Sequence, residues 1–220
     1  MKKYLLLGLT YVLNPIFLFG DCDSGYVEIL DIPESVTVLD SSNCFYQSDL
    51  DVLQDFIDLN ESLSGEPLEI GNQEWNGGRL TNLKLYDNQL TSLPESIGNL
   101  NNLKTLDLYD IQLTSLPESI GNLSSLQWLY LNSNHLTSLP ESIGNLSIVW
   151  LTLGGNELTS LPESIGNLSS LGNLRLSDNQ LTSLPESIGN LSSLYNLELS
   201  SNQLTSLPES IGNLSSLGNL

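Results

Sequence analysis

The string Leu-Pro-Glu-Ser-Ile-Gly-Asn-Leu occurs six times in the chain. Its proline falls at 94, 117, 140, 162, 185 and 208, a period of 23 residues with one interval of 22. A fixed period of this size admits few folds. Each unit is one supersecondary piece that cannot bury its own apolar face, so neighbours must stack to make a shared interior. Ahead of each copy runs a second pattern, L-x-x-L-x-L-x-x-N-x-L. It begins with Leu80, Leu83, Leu85, Asn88 and Leu90 and ends with Leu194, Leu197, Leu199, Asn202 and Leu204. In Leu83-Lys84-Leu85 the period is two, so both leucines face one side of a strand and Lys84 the other. Asn88 and its equivalents stand where the chain turns, with side chains able to bond backbone groups that the bend leaves unpaired. Ser92 and Glu95 have capping-box spacing around Pro94, and Gly98 supplies a stop, which predicts a helical piece of about one turn. One unit is a residue short between Leu146 and Ile148. Another carries Ile111 where asparagine is expected, which predicts a local weak point costing about 1–3 kcal/mol if the backbone groups there are buried.

These motifs resemble the leucine-rich repeat family. The L-P-x-x-I-x-x-L unit is most similar to the subclass found in Ras-group and Scribble-type proteins and in many bacterial surface proteins. The resemblance covers residues 80–220 and implies an α/β solenoid. Its form is a right-handed arc with short parallel strands on the concave face and short helical turns on the convex face. Six full repeats and the start of a seventh fit residues 80–220. Leu217-Gly218-Asn219-Leu220 falls partway through a strand, so a truncated array is expected.

Ahead of the array, residues 1–20 read as a secretory signal peptide: Lys2 and Lys3, then an apolar run at 4–20, then Asp21. The alternative is an uncleaved membrane anchor, for which the run is at the short limit. Residues 21–79 do not repeat and are expected to cap the first repeat. Segments 26–32 and 36–39 read as strands around a turn at Pro33. Segment 48–59 reads as an amphipathic helix, with Leu50, Leu53, Phe56 and Ile57 on one face and a capping-box spacing at Ser48 and Asp51. Trp75 is expected to anchor the packing. Cys22 and Cys44 are the only cysteines, and in an exported chain a disulfide between them is the favoured reading.

Charge excludes some partners. With 26 acidic and 6 basic residues and a net charge of −20, the chain will not hold a nucleic-acid backbone, and an anionic membrane surface should repel it. The absence of alanine argues against a helical bundle. No nucleophile elbow, P-loop or dinucleotide fingerprint is present, and the single histidine, His135, has no second ligand to form a metal site. An enzyme is not expected, and neither a metal nor a cofactor is implied. Six glycosylation sequons, at Asn60, Asn122, Asn145, Asn167, Asn190 and Asn213, matter only in a eukaryotic source.

Variation among the repeats concentrates at the outward strand positions. One column runs Asn82, Thr105, Trp128, Trp150, Asn173, Asn196. The next runs Lys84, Asp107, Tyr130, Thr152, Arg175, Glu198, and a third runs Tyr86, Tyr109, Asn132, Gly154, Ser177, Ser200. Tyr86, Tyr109, Trp128, Tyr130 and Trp150 should make an aromatic patch, with Lys84 and Arg175 among them; such density marks a contact surface. The expected function is an exported or cell-surface module binding a protein, or a glycan, on its concave face. The alternative is a structural or adhesive spacer whose anchoring or active part lies beyond residue 220.

Overall fold

The computed structural model describes residues 22–86 and 90–220. The leader at 1–20 and the first ladder asparagine, Asn88, lie outside the described residues. In chain order the elements are β1 (Tyr26–Glu28), β2 (Val36–Val38), β3 (Cys44–Tyr46), α1 (Gln47–Leu59), β4 (Asn72–Asn76) and β5 (Arg79–Lys84). The repeats then supply β6 (Thr105–Asp107), β7 (Trp128–Tyr130), β8 (Trp150–Thr152), β9 (Asn173–Arg175) and β10 (Asn196–Glu198). Strands β5 to β10 form one parallel sheet, extended by β4, which runs antiparallel to β5, and by β2. A 3₁₀ turn follows each repeat strand, from Glu95–Asn99 to Glu209–Asn213. This is the α/β solenoid. Repeat leucines such as Leu83, Leu106, Leu129, Leu151, Leu174 and Leu197 are fully buried in one continuous core.

The region before the array departs from its sequence reading in detail. Strand β1 pairs antiparallel with β3, an element the alternation did not reveal, and the Cys22–Cys44 disulfide ties the two segments together. Helix α1 buries Leu50, Leu53 and Phe56, while Ile57 is only half-buried. The capping box at Ser48 is not formed: Tyr46 holds the N-cap without a side-chain bond, and Asp51 instead accepts from Gln47 Nε2 at 2.7 Å. Trp75 is fully buried, meets Phe45 edge-on with centroids 4.9 Å apart, and donates from Nε1 to Gln73 Oε1 at 3.0 Å. Asp49, on the buried side of α1, accepts two bonds from Arg79 and a third from the Leu80 amide, all at 2.9 Å. Ser96 in the first convex turn donates to Asp55 at 2.6 Å, so α1 rests on the first repeat.

The asparagines do what their position predicts. Asn156 Oδ1 accepts from the Leu136 amide at 3.0 Å, and its Nδ2 donates to the Leu131 and Leu153 carbonyls at 2.9 Å. Asn134, Asn179 and Asn202 repeat the scheme. Ile111 fills the same buried slot with a side chain that can neither donate nor accept. The backbone there is unusual. Among the described residues each such slot is preceded by a left-handed residue, as at Ser133, Gly155 and Asp178, but after Ile111 a second one appears, Gln112 at φ 67°. Left-handed backbone costs a non-glycine residue roughly 1 kcal/mol, which places the expected weak point in the second repeat.

On the convex side the capping-box reading is corrected. Each turn begins at the glutamate with Pro at the N-cap and no side-chain cap bond. Several glutamates reach across to the next repeat instead: Glu118, Glu141 and Glu186 accept from the Ser142, Ser164 and Ser210 amides at 3.3–3.4 Å. The glycine is inside the turn, not at its end. A Cβ on Gly144 would lie 2.4 Å from the Ser164 carbonyl oxygen, and the same close approach recurs at Gly121, Gly166 and Gly189. Glycine is therefore required by the spacing between coils. Gly144→Ala should cost about 1–3 kcal/mol through overpacking, read as a lower urea midpoint. Gly212→Ala, with open space at its Cβ, should be near neutral. The short unit absorbs its deletion at Leu146, whose ψ is 154° where the other turns have 63–74° at this position. Strand β8 thereby keeps its register, with Trp150 beside Trp128.

Candidate binding face on the concave sheet

Parallel register decides which outward side chains meet. Asn82, Thr105, Trp128, Trp150, Asn173 and Asn196 occupy matched positions on successive strands, and so do Lys84, Asp107, Tyr130, Thr152, Arg175 and Glu198. Adjacent strands are about 4.8 Å apart, so each row is a continuous strip. The structure thus brings Trp128, Tyr130, Trp150 and Arg175 together. Tyr86 and Tyr109 stand exposed at the end of their strands, and Lys84 is half-buried on β5. The aromatic patch is less open than expected, because Trp128, Tyr130 and Trp150 are themselves half-buried. Their neighbours lean on them: the Arg175 guanidinium lies 5.4 Å from the Trp150 ring centroid, and its Nε is 3.1 Å from Glu198 Oε1.

Two shallow hollows lie on this face. One, of about 430 Å³, is bounded by Asn82, Lys84, Thr105, Asp107, Trp128 and Tyr130. The other, of about 280 Å³, is bounded by residues that include Tyr109, Asn132, Gly154, Arg175 and Glu198, and opens where Gly154 has no side chain. Burial pushes the Asp107 carboxyl above its ordinary range, opposed by the bond from the Tyr109 amide and by Lys84. Burial and the Asp107 charge raise the Tyr130 hydroxyl, opposed by Arg175.

Some participants were not legible beforehand. Tyr195 is exposed, lies over Gly172, and accepts from Asn173 Nδ2 at 3.1 Å. It belongs to a column one residue before the strand, Thr81, Lys104, Gln127, Val149, Gly172, Tyr195; comparing that column across repeats would have found it. His135 is a surface residue paired with Glu157 at 2.9 Å. Asn60, one of the sequons, is buried and bonded to the Phe56 and Ser92 carbonyls. Among the described residues no cluster of three or more His, Cys, Asp or Glu could hold a metal ion, and no helix is long and apolar enough to cross a membrane.

Solved structures with this architecture are numerous. The Arabidopsis thaliana GASSHO1/SCHENGEN3 receptor kinase ectodomain, in complex with CASPARIAN STRIP INTEGRITY FACTOR 2, is 40% identical with a TM-score of 0.60, over 69% of this chain and 20% of that one. The Arabidopsis HAESA ectodomain, in complex with an IDA peptide hormone ligand, is 26% identical with a TM-score of 0.65, over 78% of this chain and 32% of that one. Internalin C2 of Listeria monocytogenes is 29% identical with a TM-score of 0.56, over 70% of this chain and 64% of that one. The chain therefore spans less than two-thirds of the length of each. No curated protein matches it. The family description "Leucine-rich repeat region" matches residues 75–149 and 148–220. With that match over most of its length, and with the ladder and sheet described above, the chain belongs to the leucine-rich repeat family.

Proposed function

We propose that this chain is an exported protein-binding module that takes a peptide or protein segment on its concave sheet. The observation that carries the reading is the segregation of sequence variation. The convex wall repeats Pro-Glu-Ser-Ile-Gly-Asn in every unit, while the concave strands change from unit to unit and hold Trp128, Tyr130 and Trp150 beside Lys84 and Arg175. Half-buried aromatic and arginine side chains at the centre of a face are the residue types that dominate contact energies. Two of the similar receptor ectodomains were solved with bound ligands, which supports a binding role. Export is supported by the Cys22–Cys44 disulfide and by the basic-then-apolar leader.

The test uses peptides selected from a displayed random library against the full chain. Replacing Trp128 and Trp150 together by alanine should weaken the selected peptides by about thirtyfold or more, as for a hot spot of about 2 kcal/mol. The circular dichroism spectrum should be retained. Unchanged affinity in the folded variant would remove the concave-face reading and favour a spacer. Capture of oligosaccharides in place of peptides would redirect it to a glycan.

A further inference from the structure

Among the described residues, seven buried side-chain polar atoms have no hydrogen-bond partner. Five are serine hydroxyls, from Ser119 to Ser210, at one position of the convex turn. They recur with the repeat and belong to its wall. The other two do not recur. They are Trp150 Nε1 and Thr152 Oγ1, and both belong to β8 at the middle of the concave sheet. A buried donor or hydroxyl left unpaired is costly and needs a reason.

Their surroundings supply one. Thr152 is a short side chain between two long ones, since its register partners are Tyr130 and Arg175, and it is 2% exposed although it faces the concave side. Arg175 lies over the Trp150 ring. What holds Arg175 there is weak: its bond to Glu198 joins two side chains that are 44% and 41% exposed, and such surface pairs contribute little. The hollow left by Gly154 reaches the same arginine. The indole N–H, the hydroxyl and the guanidinium thus stand on two adjacent strands, β8 and β9, of the concave sheet.

That set has two or more donors, a positive charge and an aromatic wall. It matches the two oxygens of a carboxylate. Resting on the concave-face reading above, we infer that Trp150 and Thr152, roofed by Arg175, form an anchoring subsite for an acidic side chain, Asp or Glu, of the bound peptide. The ligand carboxylate takes the place of Glu198 on Arg175 and accepts from Trp150 Nε1 and Thr152 Oγ1. Charge supports the assignment. Beyond the leader the chain has four basic residues, Arg79, Lys84, Lys104 and Arg175. Arg79 is committed to Asp49, and Lys84 and Lys104 stand on β5 and just ahead of β6, so Arg175 on β9 is the cation next to the unpaired atoms.

The ¹⁵N-labelled full chain is titrated with N-acetyl-glutamate-N-methylamide and with its glutamine counterpart, following the indole N–H resonances. Trp150→Phe assigns its own signal by deletion. The glutamate compound should move the Trp150 indole resonance to saturation, and the glutamine compound should bind at least about fivefold more weakly. Thr152→Val should weaken glutamate binding about tenfold. Because Thr152→Val removes an unpaired buried hydroxyl while keeping the shape, it should not lower the melting temperature. No movement of the Trp150 resonance, an equal response to glutamine, or a Thr152→Val variant that loses stability but keeps binding would overturn the subsite. Peptides from the displayed library separate the two readings. If they need the Trp128 and Trp150 rings yet tolerate Thr152→Val, the concave face stands and the subsite falls.

Discussion

Replacing Asp49 by alanine should cost about 3 kcal/mol, the low end of the loss for breaking a buried ion pair, because Arg79 keeps some exposure to water. Asp49 is 1% exposed and holds three donors: Arg79 Nε, Arg79 Nη2 and the Leu80 amide. Hydrogen bonding to Asp49 is also the main cause that raises the Arg79 pKa. The guanidinium lies 4.2 Å from the Tyr46 ring centroid, so the same residue joins β3, α1 and β5. Solenoid units contact only their neighbours, so the damage should stay at one end. Hydrogen exchange should accelerate in β4 and β5 and remain slow in β8 and β9. Asp49→Asn keeps one acceptor for the Leu80 amide and should lose less. Changing both partners to apolar residues, Asp49→Leu with Arg79→Met, should recover part of the loss. A loss below about 1 kcal/mol for Asp49→Ala would mean that the pair behaves as an exposed one.

Asn156→Leu is the second large expectation. The side chains are close in size, so the core keeps its volume. One buried backbone group loses its partner, the Leu136 amide, while the Leu131 and Leu153 carbonyls each lose one of two bonds because Asn134 and Asn179 also donate to them. The unpaired amide costs about 1–3 kcal/mol, which should appear as a lower urea midpoint. Ile111 is the chain's own version of this change, and it is accompanied by left-handed backbone at Gln112. If Asn156→Leu were harmless, the asparagine ladder would not be what holds the turns together.

Much of the fold was legible because the repeat samples each position several times. The leucine rows, the strand register and the asparagine slot can all be read by comparing units. What failed has a common physical origin. Ser-x-x-Glu spacing matches a capping box within one unit, yet Glu118 bonds the serine amide of the following unit. A within-unit pattern cannot distinguish the two. Gly98 reads as a stop because glycine often ends helices, whereas here it makes room for Ser119 of the next coil. The Asp49–Arg79 pair joins residues 30 positions apart outside the array, where no repetition helps. On the concave face the columns could be listed, but the burial of Thr152 depends on how Tyr130 and Arg175 lean, and side-chain pose is not written in a column. Tyr195 stands one residue ahead of its strand, outside the two-residue alternation that marks the concave face.

The wall made by glycine, serine and proline carries a consequence for how such a chain changes over time. The unvarying stacking contacts lie in the leucine core, the asparagine ladder and the outside of the curve, and the variable positions lie on the inside. Insertion or loss of a whole unit therefore shifts the inner pattern by one strand, about 4.8 Å, and leaves the convex glycine–serine contacts between coils chemically the same. The face can be rewritten by shuffling units, with no redesign of the interior.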